Sequence, residues 1–137
     1  MTLTTLRADA LRSTTDGFSV RLSLPWIRSL PVSGVGDLQL RIDDAPASDV
    51  LVALGDRTVS PSALAFERGW WFVQDRLVLR ARGALGPGAH EVSVSFTLLI
   101  PYLPGGPDAP LTLPFLATRT LELDAAAARP TVSLDVA

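Results

Sequence analysis

Along most of this chain apolar residues recur at every second position, and that period decides what it can fold into. In "GFSVRLSLPW", Phe18, Val20, Leu22 and Leu24 alternate with Ser19, Arg21 and Ser23. In "AHEVSVSFTLLI", His90, Val92, Val94, Phe96, Leu98 and Ile100 share one parity, and Glu91, Ser93, Ser95, Thr97 and Leu99 the other. Successive side chains of a strand point to opposite faces, so each stretch reads as a strand with one buried side. "DLQLRIDDAP" repeats the pattern with Leu38, Leu40 and Ile42 inward and stops at an acidic turn. Residues 5–24 read as a hairpin through "RSTTDG", and "DVLVALGDRTVS" as a strand pair around Gly55–Asp56. "WWFV" and "RLVLRAR" are strands parted by "QDR", and "LTLPFLATRTLELD" adds one or two more after the loop "PYLPGGPDAP". Only "SPSALAFERG" has room for a helical turn. Short strands punctuated by Gly, Pro and Asp predict an all-β fold, an antiparallel two-sheet β-sandwich of immunoglobulin-like or jelly-roll type. Residues 1–124 are expected to form a single β-sandwich domain. Residues 125–137 are expected to be a tail carrying a last edge strand at Val132 to Val136.

Composition narrows the function classes. With 47% apolar and 19% charged residues in 137, the chain has ample material for a core. All the basic residues are arginines, scattered among acids to a net charge of -2, with no basic stripe for phosphates, so nucleic acid is not expected as a partner. The lack of cysteine excludes disulfides, thiolate metal sites and thiol nucleophiles. "MTLTTLRADALRSTTDG" lacks the pattern of a secretory signal, and the apolar runs are far shorter than the ~20 residues that span a bilayer. No membrane association and a cytoplasmic location are the expectations.

His90, the only histidine, follows a Pro-Gly turn. Sandwich domains often place a tyrosine at such a corner to tie it to upstream backbone, and an imidazole can make the same tie. A catalytic or metal-bound imidazole needs partners. Glu91 points to the opposite face and there is no second histidine, so a structural corner of Gly83, Gly88 and His90 is the preferred reading. Asp43–Asp44 falls in a hairpin turn, and Glu122 and Asp124 end a strand with no loop of calcium-ligand spacing around them. The Gly-x-Gly of "SGVG" leads into a strand, not the helix that a dinucleotide site requires. No catalytic residue and no metal ligand is expected in this chain. The aromatics say more. Trp70 and Trp71 are adjacent in a strand, so one enters the core and the other faces out. Trp26 follows Pro25 at a strand end, and Tyr102 stands between Pro101 and "LPGG". Exposed aromatic and proline residues of this kind mark interfaces, and a mean hydropathy of +0.31 points the same way.

"GFSVRLSLPWIRSLPVSGVGDLQLRIDD", "GWWF" and "GALGPGAHEVSVSFTLLIPYLP" together resemble the small, β subunit of bacterial C-glycoside deglycosidases. The residues that carry the likeness are Pro25, Trp26 and Arg28 after a strand, then Gly83, Gly88 and His90, then Tyr102 and Pro104, within roughly residues 8 to 104. Ser29, Ala45 and Leu99 depart from the pattern, which has glycine, glycine and arginine in those places.

The resemblance implies a non-catalytic subunit of a heteromeric carbon–carbon lyase. Its larger α subunit, a TIM barrel, carries the acid-base residues and a divalent metal, manganese being a candidate. That enzyme cleaves the C–C glycosidic bond of 3-oxo-C-glucosides of aromatic aglycones such as flavonoids. The partner interface expected on this chain comprises Pro25, Trp26, Arg28, Trp70, Tyr102 and Pro104. The alternative is a stand-alone carbohydrate-binding module, with an exposed tryptophan stacked on a sugar ring.

Overall fold

The computed structural model describes residues 4–107 and 109–125. The strands are β1 (Leu11–Ser13), β2 (Gly17–Ser23), β3 (Leu30–Pro31), β4 (Val35–Ile42), β5 (Ala45–Pro46), β6 (Ser48–Leu54), β7 (Arg57–Val59), β8 (Trp70–Trp71), β9 (Arg76–Arg82), β10 (Ala89–Gly106) and β11 (Ala109–Glu122). They form a five-stranded sheet in the order β1-β2-β9-β6-β7, a four-stranded sheet β11-β10-β4-β5, and a small ribbon β3-β8. Every pairing is antiparallel, and one hydrophobic cluster draws on both large sheets, which gives the all-β sandwich. The 3₁₀ turns are Val32–Gly34 and Pro61–Phe66, the second lying in "SPSALAFERG".

The period-two pattern carries over into burial. On β10, Val92, Val94, Phe96, Leu98 and Ile100 are at most 2% exposed, while Ser93, Ser95, Thr97 and Leu99 are half-buried on the other face. Leu22, Leu77 and Leu79 meet this row from the opposite sheet within the shared core. An aromatic file crosses the core. Trp71 tilts against Phe96 at 6.1 Å between ring centres, and Phe96 stacks on Phe115 at 5.8 Å. At the β4–β5 turn, Asp43 and Asp44 both take positive φ, 50° and 66°, the conformation a tight hairpin demands and that short polar side chains tolerate.

Some expectations need correction. The polar alternates on β2 are not solvated: Ser19 and Ser23 are buried, and the Arg21 guanidinium donates to Ser19 Oγ at 3.3 Å. Residues 5–24 do fold back as a hairpin, but β1 is short. Beyond it the pairing continues irregularly, the Arg21 and Ser23 N–H groups donating to the Ala10 and Thr5 carbonyls. The largest departure lies at 101–110, read as a loop. There β10 and β11 run on through two register shifts, pairing Pro104 with Pro110 and Gly106 with Ala109. Proline is admitted at a sheet edge or a bulge, and this hairpin tip is both. The last strand expected at Val132 to Val136 lies outside the described residues.

The N-terminal arm is fixed by a shielded ion pair. Arg76 at the start of β9 donates to Asp9 at 3.0 Å, both side chains being little exposed. Removing one partner of such a pair strands the other charge.

Two substitutions on the same pair of strands separate core from surface. Phe96→Ala removes the middle of the aromatic file and is expected to cost about 3–5 kcal/mol in urea unfolding. Leu116→Ala, on the exposed row of β11, is expected to change stability by less than about 0.5 kcal/mol.

Candidate functional site

The chain leaves β2 through Leu24 and Pro25, both buried, and turns outward at Trp26. Tyr102 arrives from β10 just past Ile100, where pairing with β11 breaks register. That irregularity swings the ring out of the sheet row. The two aromatics meet there: the Trp26 indole N–H donates to the Tyr102 hydroxyl at 2.5 Å. The Arg28 guanidinium lies over the same tyrosine ring, 5.4 Å from its centre. Three residues up to 76 positions apart thus form one surface cluster, with Tyr102 45% exposed at its centre.

Trp70 is the first residue of β8. It pairs with Pro31 in the β3–β8 ribbon, while Ser29 Oγ accepts a hydrogen bond from the Val73 N–H at 2.9 Å. Trp71 is fully buried and Trp70 about half-exposed, on opposite sides of the strand. Pro104 stands apart, exposed at the tip of the β10–β11 hairpin opposite Pro110. Exposed apolar residues that sequence reasoning passed over join the surface: Ile27, Phe72, Val73 and Leu116. Phe72 was recoverable from "WWFV", since it shares Trp70's parity. Ile27 and Leu116 carry no such signal, because only the tertiary setting decides that nothing covers them.

A groove of about 700 Å³ runs beside the cluster. Its walls are the segments Thr4–Leu6 and Pro25–Ile27 on one side and Leu113–Arg119 of β11 on the other. Arg119 closes one end by donating to the Leu6 carbonyl at 2.8 Å.

The corner around His90 is a separate place. Gly83 and Gly88 flank the turn with φ of 102° and 104°, where a side chain would be strained. The His90 Nδ1 lies 2.6 Å from the Asp43 carboxylate and its Nε2 lies 2.6 Å from the Gly86 carbonyl. Both neighbours are acceptors, a setting that favours the ring with both nitrogens protonated. The Asp43 hydrogen bond, then the Gly86 carbonyl, raises the His90 pKa, and the same contact lowers that of Asp43. Asp43 also accepts from the Glu91 N–H at 2.9 Å, so the β4–β5 turn is pinned to β10. Both ring nitrogens are engaged within the corner. Asp124 is engaged too: both its oxygens accept from Ser13, at 2.7 and 2.5 Å, which ties the end of β11 to β1. Among the described residues no three His, Asp or Glu side chains gather as metal ligands. No described helix is long and apolar enough to cross a membrane.

No family model matches the sequence. Three curated relatives do. A 3'-dehydrocarminate deglycosidase beta subunit from a Microbacterium species is 31% identical over 100 residues, covering 70% of this chain and 76% of its own length. A C-glycoside deglycosidase beta subunit from Arthrobacter globiformis is 35% identical over 90 residues, 62% of this chain and 69% of that one. Another, from Microbacterium trichothecenolyticum, is 35% identical over 103 residues, 72% and 75%.

The corner makes a pH prediction. Folded His90 holds its proton more tightly than an unfolded histidine, so its contribution is complete below the ordinary 6.5 and is lost as pH rises through the raised value. The lowered Asp43 contributes fully above its ordinary 3.8 and loses this as pH falls through its folded value. Between 3.8 and 6.5 both are in force. Thermal melts of Asp43→Asn are therefore expected to fall about 3–6 °C below the parent near pH 5–6, with the gap closing at alkaline pH.

Proposed function

The chain belongs to the family of C-glycoside deglycosidase beta subunits, and from that premise we propose that it is the non-catalytic subunit of such an enzyme. In this reading it supports a larger, TIM-barrel α subunit in the cytoplasm. Chemistry resides in that partner, which cleaves the C–C glycosidic bond of 3-oxo-C-glucosides of aromatic aglycones. A ketone at sugar C3 acidifies the C2 proton, so a base can remove it and the aglycone can leave as its carbon is protonated. A divalent metal in the partner, with manganese a candidate, would stabilise the negative charge that develops on oxygen.

The observation that carries the reading for this chain is the joined cluster of Trp26, Arg28 and Tyr102. Aromatic and arginine side chains are the types most enriched at interface centres, and here they are pre-ordered by their own contacts, which lowers the entropy cost of docking. Trp70, Phe72 and Val73 are further exposed apolar side chains assigned to this interface, with Pro25, which precedes Trp26 and is buried. Pro104, exposed at the hairpin tip, is assigned to the rim. His90 belongs to the scaffold.

The test is a tagged recovery of the chain with its large subunit, followed by assay of 3-oxo-C-glucoside cleavage. Trp26→Ala with Tyr102→Ala is expected to weaken assembly by about 2–4 kcal/mol, roughly 30- to 1,000-fold, while the isolated chain still folds. Unchanged assembly and activity in that double variant would remove the interface assignment. Saturable sugar binding by the chain alone, read by tryptophan fluorescence, would favour a carbohydrate-binding module.

A further inference from the structure

The sandwich is closed unevenly. On β10 the inward row is sealed, yet its neighbours across the register on β11, Leu111, Leu113, Phe115 and Ala117, are only half-buried. The cause is topological: β11 is the edge of its sheet, and the groove opens along its free side.

Two prolines reveal which way that edge faces. A proline has no N–H and sits in a sheet only where its nitrogen turns away from the ladder. Backbone groups alternate sides residue by residue along a strand. Pro110 and Pro114 therefore assign the even-numbered residues of β11 to the open edge, and Leu116 and Thr118 present their N–H and C=O groups into the groove. Among the described residues no backbone hydrogen bond crosses this edge. Nor is the edge guarded by charge: from Ala109 to Thr118 β11 contains no ionisable side chain.

We propose that the groove receives an extended segment of the partner subunit, added as a fifth strand on the β11 edge and paired through Leu116 and Thr118. The proposal rests on the subunit reading above. It commits to a strand because, among the described residues, the wall is a row of unmade backbone hydrogen bonds, which a helix, having used its own, cannot satisfy. The segment's chemistry follows from the walls: apolar residues at alternate positions, set against Phe115, Leu113, Pro25 and Trp26. Pro114, which offers no donor, limits the pairing to the stretch beyond it. A second copy of this chain fits poorly. Its β11 comes with a wall of Thr4–Leu6 and Pro25–Ile27, which would compete for the space where this chain's wall stands. Trp26 lines the groove, with Pro25, and also belongs to the aromatic cluster, so one partner surface can cover both.

Amide hydrogen exchange on the unmodified chain, free and in complex with its large subunit, tests this directly. The Leu116 and Thr118 amides are expected to slow by about tenfold or more on assembly. Leu116→Pro deletes an outward-facing donor; Thr118→Pro deletes another, together with the hydrogen bond from the Thr118 hydroxyl to Ser93 Oγ at 3.1 Å. They are expected to leave the isolated fold intact and to raise the dissociation constant about tenfold or more. Unchanged exchange at both amides within an intact complex overturns strand addition, even if Trp26→Ala still weakens assembly, in which case the subunit reading stands. Protection in the isolated chain overturns the proposal: with a doubled mass by light scattering the occupant is a second copy, and with a monomer's mass it is a segment of this chain itself. Failure to form any complex with a large subunit removes the subunit reading and the docking site together.

Discussion

The fold depends on one row of side chains. Val92, Val94, Phe96, Leu98 and Ile100 on β10 are sealed from water, and the strand that carries them lies between β11 and β4 in its sheet. Burying five such side chains contributes on the order of 10 kcal/mol of transfer free energy, counted against an extended chain. A slip of one residue would expose the whole row and bury Ser93, Ser95 and Thr97 instead, so register is fixed by the core rather than by the turns. Phe96 then determines where Trp71 and Phe115 can sit, and through Trp71 the position of the β3–β8 ribbon.

That dependence explains how much of the fold was legible in the sequence. Alternation marks any strand with one wet and one dry face, and β4 and β10 have that form. It fails where both faces are shielded, as for Ser19 and Ser23 on β2. It fails also where prolines mask an extended hairpin, as in "PYLPGGPDAP", because a proline-rich stretch reads as a loop unless its edge position is known. The sheet order could not be read at all, since nothing local says that β9 inserts between β2 and β6.

The site was legible in part. Trp26, Arg28 and Tyr102 could be singled out as residue types, but not as neighbours: their meeting depends on the register shift after Ile100. The Asp43 partner of His90 comes from a different strand turn, 47 positions away, and was invisible to any local pattern. An Asp–His pair would ordinarily invite a catalytic reading. Here the second nitrogen faces the Gly86 carbonyl, so both ring nitrogens are turned to acceptors of the corner itself.

The bond between Trp26 and Tyr102 has a further consequence in optics. The chain has one tyrosine and three tryptophans, and its only phenol touches an indole. Light absorbed by Tyr102 is passed to Trp26 at contact range, so the protein emits as though it contained tryptophan alone while the cluster is closed. A tyrosine band at shorter wavelength would appear only where Tyr102 had moved clear of all three tryptophans, so its emission reports the unfolding of this end of the sandwich without a label.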